Sequence, residues 1–159
     1  MISLVRIDDR VIHGQTTVTL ISEYPCDGIL IVSDEIAADE VMKTVYKSVV
    51  PNDIKVLVFS VDTAVTKLVE AEASLKKYFV VFKSILDLQL LLKKGYVLKG
   101  SILAGPSSVR EGTRTFVQGF ALTDSEIDAF NFVEEQGIEI IIHPVFTQKK
   151  LSWQQIKNK

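Results

Sequence analysis

The sequence predicts one α/β domain over residues 1–159, a mainly parallel twisted sheet with helices on both faces. Two observations carry this reading. Short apolar runs alternate with amphipathic segments from end to end, the β-α repeat of a parallel sheet whose crossovers are helical. The apolar runs also lack the in–out alternation of a strand with one wet face, so the sheet is expected to be covered on both sides.

The elements follow in order. Ile2–Ile7 reads as a buried strand, and 15–24 as a helix with Leu20, Ile21 and Tyr24 on one side. Gly28–Val32 is the second strand, and 37–49 a helix in which Val41, Val45 and Val49 recur at a spacing of four. Pro51 blocks its continuation, because proline has no amide hydrogen to donate. A third strand, 55–60, precedes a helix over 62–73, and Tyr78–Phe82 is the fourth strand. Ser84 with Asp87 three residues on is a variant capping box; Ile85, Leu88, Leu91 and Leu92 form the buried face of that helix, and Gly95 stops it. Ser101–Ala104 is a short fifth strand, 105–112 a loop of Gly, Ser and Pro, and 115–120 a further strand. Thr123 and Glu126 form a fuller capping box for a helix running to Gln136, with Gly137 behind it. Residues 139–143 read as the last core strand and 152–159 as a terminal helix.

Composition removes several classes of function. The formal net charge is −2 with no lysine- or arginine-rich block, which argues against a nucleic-acid partner. No apolar run approaches the ~20 residues of a membrane span, and the start, Met1 to Arg6, does not read as a signal peptide. The single cysteine, Cys26, allows no intrachain disulfide, so a reducing cytoplasmic location is expected; it lies in a turn, Pro25-Cys26-Asp27-Gly28, and reads as inert. No G-x-G-x-x-G or G-x-x-x-x-G-K-[ST] string offers a nucleotide cradle, and no cofactor or metal is called for.

In parallel α/β folds ligands sit beyond the carboxyl ends of the strands. That directs attention to residues 8–14, 33–36, 60–62, 83–84 and 105–112. The first of these is dense in chemistry: Arg6-Ile7-Asp8-Asp9-Arg10-Val11-Ile12-His13-Gly14-Gln15. An imidazole that is neutral near pH 7 is a competent nucleophile. Asp8 or Asp9 can orient its ring by accepting from one nitrogen, with Arg6 in support. Arg10, three residues before His13, offers a planar fork of donors to phosphate oxygens. Gly14 allows a tight turn, and the first amides of the next helix, near Gln15 and Thr16, point at an anion. Phosphoryl transfer needs little beyond such positioning and charge stabilisation. Set against this, arginine and aspartate at a strand end also form purely structural ion pairs, and histidine before glycine also serves as a helix cap.

The string closely resembles the signature R-x-D-D-R-L-I-H-G-Q of the mannose/fructose/sorbose-class phosphotransferase system IIB components, with Val11 in place of leucine. The run from Ile29 to Asp39 is similar to that family's second strand and acidic turn, and Pro51 falls where the family has a proline ahead of strand three. The resemblance implies a phosphotransferase that accepts a phosphoryl group from the phosphohistidine of a IIA domain. It would pass the group to a sugar held by membrane partners IIC and IID. By the motif, His13 is the acceptor, through Nδ1, and Arg10 binds the phosphate. Two departures bear on partner surface and sugar: Thr16 and Leu20 stand where many members have valine and tryptophan, and the later loop reads Ala104-Gly-Pro-Ser-Ser-Val-Arg110.

Other residues carry less. Ser107, Ser108 and Arg110 lie in a loop facing the expected site and are candidate phosphate contacts, against a reading as plain turn chemistry. Asp34 and Glu35 read as a solvated helix approach, His143 as a satisfied structural histidine, and Trp153 as docked on the domain's own core. The rival reading is a receiver-type signalling domain, with Asp8 and Asp9 on a divalent metal and Asp62 accepting phosphate; a non-catalytic anion-binding module is a further one. The sugar and the oligomeric state, a homo-oligomer included, stay open.

Overall fold

A computed structural model describes residues 1–158. Seven strands form one sheet in the order β3-β2-β4-β1-β5-β8-β9, and β6 and β7 form a separate hairpin. The strands are β1 (Ile2–Ile7), β2 (Gly28–Val32), β3 (Lys55–Phe59), β4 (Tyr78–Phe82), β5 (Ser101–Ala104), β6 (Arg114–Val117), β7 (Phe120–Leu122), β8 (Glu139–Ile142) and β9 (Leu151–Ser152). All pairings in the main sheet are parallel except β8 with β9. The expected fold class is the observed one.

The helices are α1 (Gly14–Glu23), α2 (Asp34–Ala37), α3 (Glu40–Ser48), α4 (Val61–Ala73), α5 (Ile85–Lys93), α6 (Asp124–Glu135) and α7 (Trp153–Ile156). Two cores lie on the two faces of the sheet. One gathers Leu20, Ile36, Tyr46 and Val50 beneath α1 to α3; the other gathers Leu68, Leu88, Phe130 and Trp153 beneath α4 to α7. Right-handed crossovers require this split, because β1-α1-β2 and β2-α3-β3 move one way across the sheet and the later units move back.

Local signals end the elements where expected. Thr123 and Glu126 close a reciprocal capping box on α6. Gly95 and Gly137 take φ values of 102° and 84° behind α5 and α6. Asp87 does not close a box: the Ser84 hydroxyl accepts from the Leu86 amide instead.

Four expectations need correction. The helix over 37–49 is two helices, broken after Ala38, because the Asp39 carboxylate accepts from the Met42 amide and starts α3 afresh. The valines at a spacing of four face solvent, with Val41 72%, Val45 43% and Val49 43% exposed; the buried stripe is one residue on, at Met42, Tyr46 and Val50. The strand over 115–120 is a hairpin, since Gly119 at φ 80° turns the chain between β6 and β7. The terminal helix is only α7, because Leu151 and Ser152 pair with β8 first; Lys159 lies outside the described residues.

Trp153 is fully buried, and its indole N–H donates to Asn131 Oδ1 at 2.9 Å. It stacks against Phe130 and Phe116, so the C-terminal segment is held by one aromatic cluster. Trp153→Ala is expected to lower unfolding free energy by about 3–5 kcal/mol, the usual cost of emptying a large aromatic site; urea unfolding followed by circular dichroism measures it.

Candidate functional site

Strand β1 lies inside the sheet, between β4 and β5, so its end opens at the middle of the carboxyl edge. Its continuation leads to α1 on one face, while β4 and β5 lead to α5 and α6 on the other. Crevices open where connections diverge in this way, and the charged loop occupies that place.

The loop is built on a buried ion pair. Arg6 and Asp8 are 2% and 1% exposed. Arg6 Nη2 and Nε donate to Asp8 Oδ2 at 3.1 and 3.3 Å. Burial lowers the Arg6 pKa and raises that of Asp8; for each the partner's opposite charge works against the shift. The other carboxylate oxygen of Asp8 accepts from the Arg10 amide at 2.9 Å, and its carbonyl accepts from the Val11 amide at 3.0 Å. One Asp8 carboxylate oxygen is thus engaged by the Arg6 guanidinium and the other by the backbone, and neither bonds to the His13 ring.

The turn expected of Gly14 falls at Val11 instead. Val11 has φ 61°, the left-handed region, and is the one described non-glycine residue there. A β-branched residue in that region is strained. It is held by the Asp8 carbonyl and by burial, Val11 being 3% and Ile12 7% exposed. Gly14 is the first residue of α1, and an added Cβ there would meet nothing within 4 Å.

His13 is the N-cap of α1 and is exposed, with φ −123° and ψ 122° and no side-chain capping bond. Its carbonyl accepts from the Thr17 amide at 2.8 Å, so the amides of Gly14, Gln15 and Thr16 precede the first intrahelical bond. The helices α2 to α6 each carry an acid in the first turn, whereas α1 carries none. The positive end of the α1 dipole is therefore uncovered, which favours an anion. Arg10 is exposed, and its side chain makes no hydrogen bond or ion pair among the described residues. His13, Gly14 and Gln15 thus stand together at one exposed helix start, and Arg10 precedes them by three residues in the same loop.

The remaining candidates serve the second loop, 105–112. Asp9 Oδ2 accepts from the Ser108 amide at 2.8 Å, which ties the two loops together; Asp9 Oδ1 is buried without a partner among the described residues. The Ser107 hydroxyl donates to the Ala121 carbonyl at 2.7 Å, and the Ser108 carbonyl accepts from Arg110 Nη1 at 2.7 Å. Both serines are thereby engaged in holding the hairpin and the loop. Arg110 also pairs with Glu126, a contact that sequence reasoning missed; Glu126 had been recognised only as a capping residue.

A cavity of about 600 Å³ lies beside the reactive loop, walled by Asp9, Lys83, Asp87, Ser107, Arg110 and Glu126 among others, and by neither Arg10 nor His13. Burial, reinforced by the negative charge of Asp34 and Glu35, pushes Asp87 up to about 6. Glu35 itself pairs with Lys83 at 3.2 Å. His143 Nε2 lies 2.9 Å from the Gln148 carbonyl, the structural role expected of it. Cys26 is half-buried in the turn before β2, away from the carboxyl edge, and burial pushes its thiol up to about 11.

The rival receiver arrangement needs free acids gathered at one edge. Asp8 is bound to Arg6, Asp62 is paired with Lys94 at 2.7 Å, and no cluster of metal-ligating side chains occurs among the described residues. No helix of the described residues is long and apolar enough to cross a membrane.

Comparison with known proteins decides between the families. The model of the phosphotransferase system sorbose subfamily IIB component matches residues 2–159. The chain belongs to that family. It is 30% identical over 139 residues to the fructose-specific EIIB component of Bacillus subtilis, covering 87% of this chain and 85% of that protein. It is 29% identical over 159 residues to the mannose-specific EIIAB component of Escherichia coli, covering 100% of this chain but 49% of that protein. The chain thus spans about half the length of the first curated relatives it matches. Among solved structures, the IIB domain of the Klebsiella pneumoniae sorbose permease superposes with a TM-score of 0.85 at 25% identity, covering 98% of this chain and 94% of that one.

Two measurements probe this IIB site. Gly105 is pressed by the Arg6 guanidinium, so an added Cβ would collide with it. Gly105→Ala is expected to cost about 1–3 kcal/mol of stability, the range for overpacking, with the backbone NMR shifts of residues 8–13 displaced as the ion pair gives way. Asp87 titrates at about 6 in the folded state against 3.8 as a free residue. Between those values the folded state binds more protons, so this group's contribution to stability falls as pH rises through the window and is constant above it. Asp87→Asn removes that loss, and denaturant unfolding should show the variant gaining on wild type between pH 4 and pH 7.

Proposed function

We propose that this IIB chain carries a phosphoryl group on His13, taken from the phosphohistidine of a IIA domain and given to a sugar held by IIC and IID membrane subunits. It would work on the cytoplasmic side of that transporter. The observation that supports the reading is an exposed histidine at the start of α1, followed by three helix amides without partners among the described residues and preceded by an uncommitted arginine in the same loop.

The geometry suits the chemistry. In the first step a lone pair of the His13 ring attacks phosphorus, and the donor's P–N bond breaks as the new one forms. In the second, a sugar hydroxyl oxygen attacks, the His13 P–N bond breaks, and the hydroxyl proton ends on the imidazole that leaves. Charge on the three equatorial oxygens is met in both steps by Arg10 and by the amides of Gly14 and Gln15. Asp8 acts through the backbone, holding Arg10 and the strained Val11 in place. Histidine is favoured over cysteine as acceptor because Cys26 is half-buried, protonated at neutral pH and remote from this edge. The relatives are named for mannose, fructose and sorbose, so the sugar is not set by what they share.

Incubation with phosphorylated IIA domain is expected to label His13 with a bond that acid cleaves and alkali leaves intact. His13→Ala should abolish the label, and Asp62→Ala should keep it. Arg10→Ala should slow transfer by ~10²–10³, the usual loss for a preorganised charged donor, with the circular dichroism spectrum unchanged. Alkali-labile label that survives His13→Ala would defeat the proposal.

A further inference from the structure

The apolar stripe of α3 is the feature of the surface that folding leaves unexplained. Val41, Val45 and Val49 are 72%, 43% and 43% exposed, while the stripe one residue on is buried. One residue is a rotation of 100° about a helix, so the valines lie on the flank of α3. Right-handed crossovers place α1 and α3 side by side on the same sheet face, both running away from the carboxyl edge. With right-handed helices descending in this order, the valine flank is the one turned toward α1. The flank of α1 turned toward α3 carries Val18, 54% exposed.

Two further facts concern α1. It opens at His13, so the flank of α1 that is turned toward α3 begins beside that residue. Its only charged residue is Glu23, at its end, although most of the helix is exposed. The lysines of α3, Lys43 and Lys47, fall on its other flank. An uncharged, apolar strip bordered by charge is the pattern of an interface core and rim.

We infer that the valine-lined groove between α1 and α3 is the surface on which the phosphoryl-donor domain seats to reach His13. This rests on the function proposed above, which requires a macromolecular donor to bring its phosphohistidine against an exposed histidine. The donor must therefore cover surface contiguous with the start of α1, and the groove is the apolar surface that begins there. The carboxyl-edge cavity on the other side of the loop is a poorer seat, because its wall carries five acids, Asp9, Asp34, Glu35, Asp87 and Glu126, against two cations, Lys83 and Arg110, and this negative balance disfavours a phosphorylated surface.

The test uses two phosphoryl donors. Phosphoramidate, a small donor, needs no docking surface; phosphorylated IIA domain does. Val45→Glu and Val41→Glu are compared with wild type and with Val69→Glu, a control on α4 across the sheet at a residue 56% exposed. All three valines are exposed, and circular dichroism confirms folding. The expected result is equal labelling by phosphoramidate throughout. With the IIA domain, the apparent KM rises about tenfold or more for the α3 variants, the scale of losing a central interface contact, with turnover at saturation unchanged and Val69→Glu like wild type. Wild-type KM with the IIA domain in both α3 variants overturns the docking surface alone. So does a defect confined to the later transfer to sugar, which would assign the groove to a membrane subunit. Failure of phosphoramidate to label wild-type His13 overturns the function reading and this inference with it.

Discussion

The buried pair of Arg6 and Asp8 organises the functional edge of this molecule. Two charges almost out of contact with water are costly unless paired; Arg6 has its bonds through Nε and Nη2, while its Nη1 is buried without a partner among the described residues. Asp8 accepts from Arg6 with one oxygen and from the Arg10 amide with the other. Arg6 in turn lies against Gly105, where no side chain would fit. The pair therefore sets two loops at once: it bends the chain through Val11 toward α1, and it draws the loop after β5 against the loop after β1. Asp9 completes the join through the Ser108 amide.

This division of labour explains why the loop carries more charge than phosphoryl transfer alone requires. The inner residues, Arg6, Asp8 and Asp9, are engaged with backbone and with one another. The outer ones, Arg10 and His13, are exposed and uncommitted. Rigidity below and availability above are what the proposed transfer site would need, since misplacing the reacting atoms is costly while the phosphate must come and go. The strain at Val11 belongs to the same design: an unfavourable backbone angle is held by buried neighbours so that His13 stands at the start of α1 with the following amides free.

The carboxyl edge is otherwise acidic. Every helix from α2 to α6 opens with an acid that complements its own dipole, and at the cavity wall burial, with the α2 acids Asp34 and Glu35 adding to it, raises the pKa of Asp87. Against that background α1 is the one helix start among these six left positive.

What the sequence determined by itself was local. Apolar runs marked the strands, because a strand buried on both faces has no polar side to show. Thr123 with Glu126, and Gly95 and Gly137, marked helix ends through contacts a few residues apart. The loop after β1 was legible as a motif because its residues are consecutive, and the family it suggested is the one whose model matches the chain. What only the tertiary structure decided involves partners distant in the chain. Periodicity in α3 drew attention to Val41, Val45 and Val49, and only the position of the sheet put Met42, Tyr46 and Val50 toward the core instead. The two-residue β9 exists because β8 offers it an edge. Asp8 could be read as a partner of histidine until folding brought Arg6 and the Arg10 amide to its two oxygens; Arg110 found Glu126 only when the loop after β5 closed onto α6. A carboxylate's partner is chosen by geometry in three dimensions, and one-dimensional spacing constrains that geometry only within a turn or two of chain.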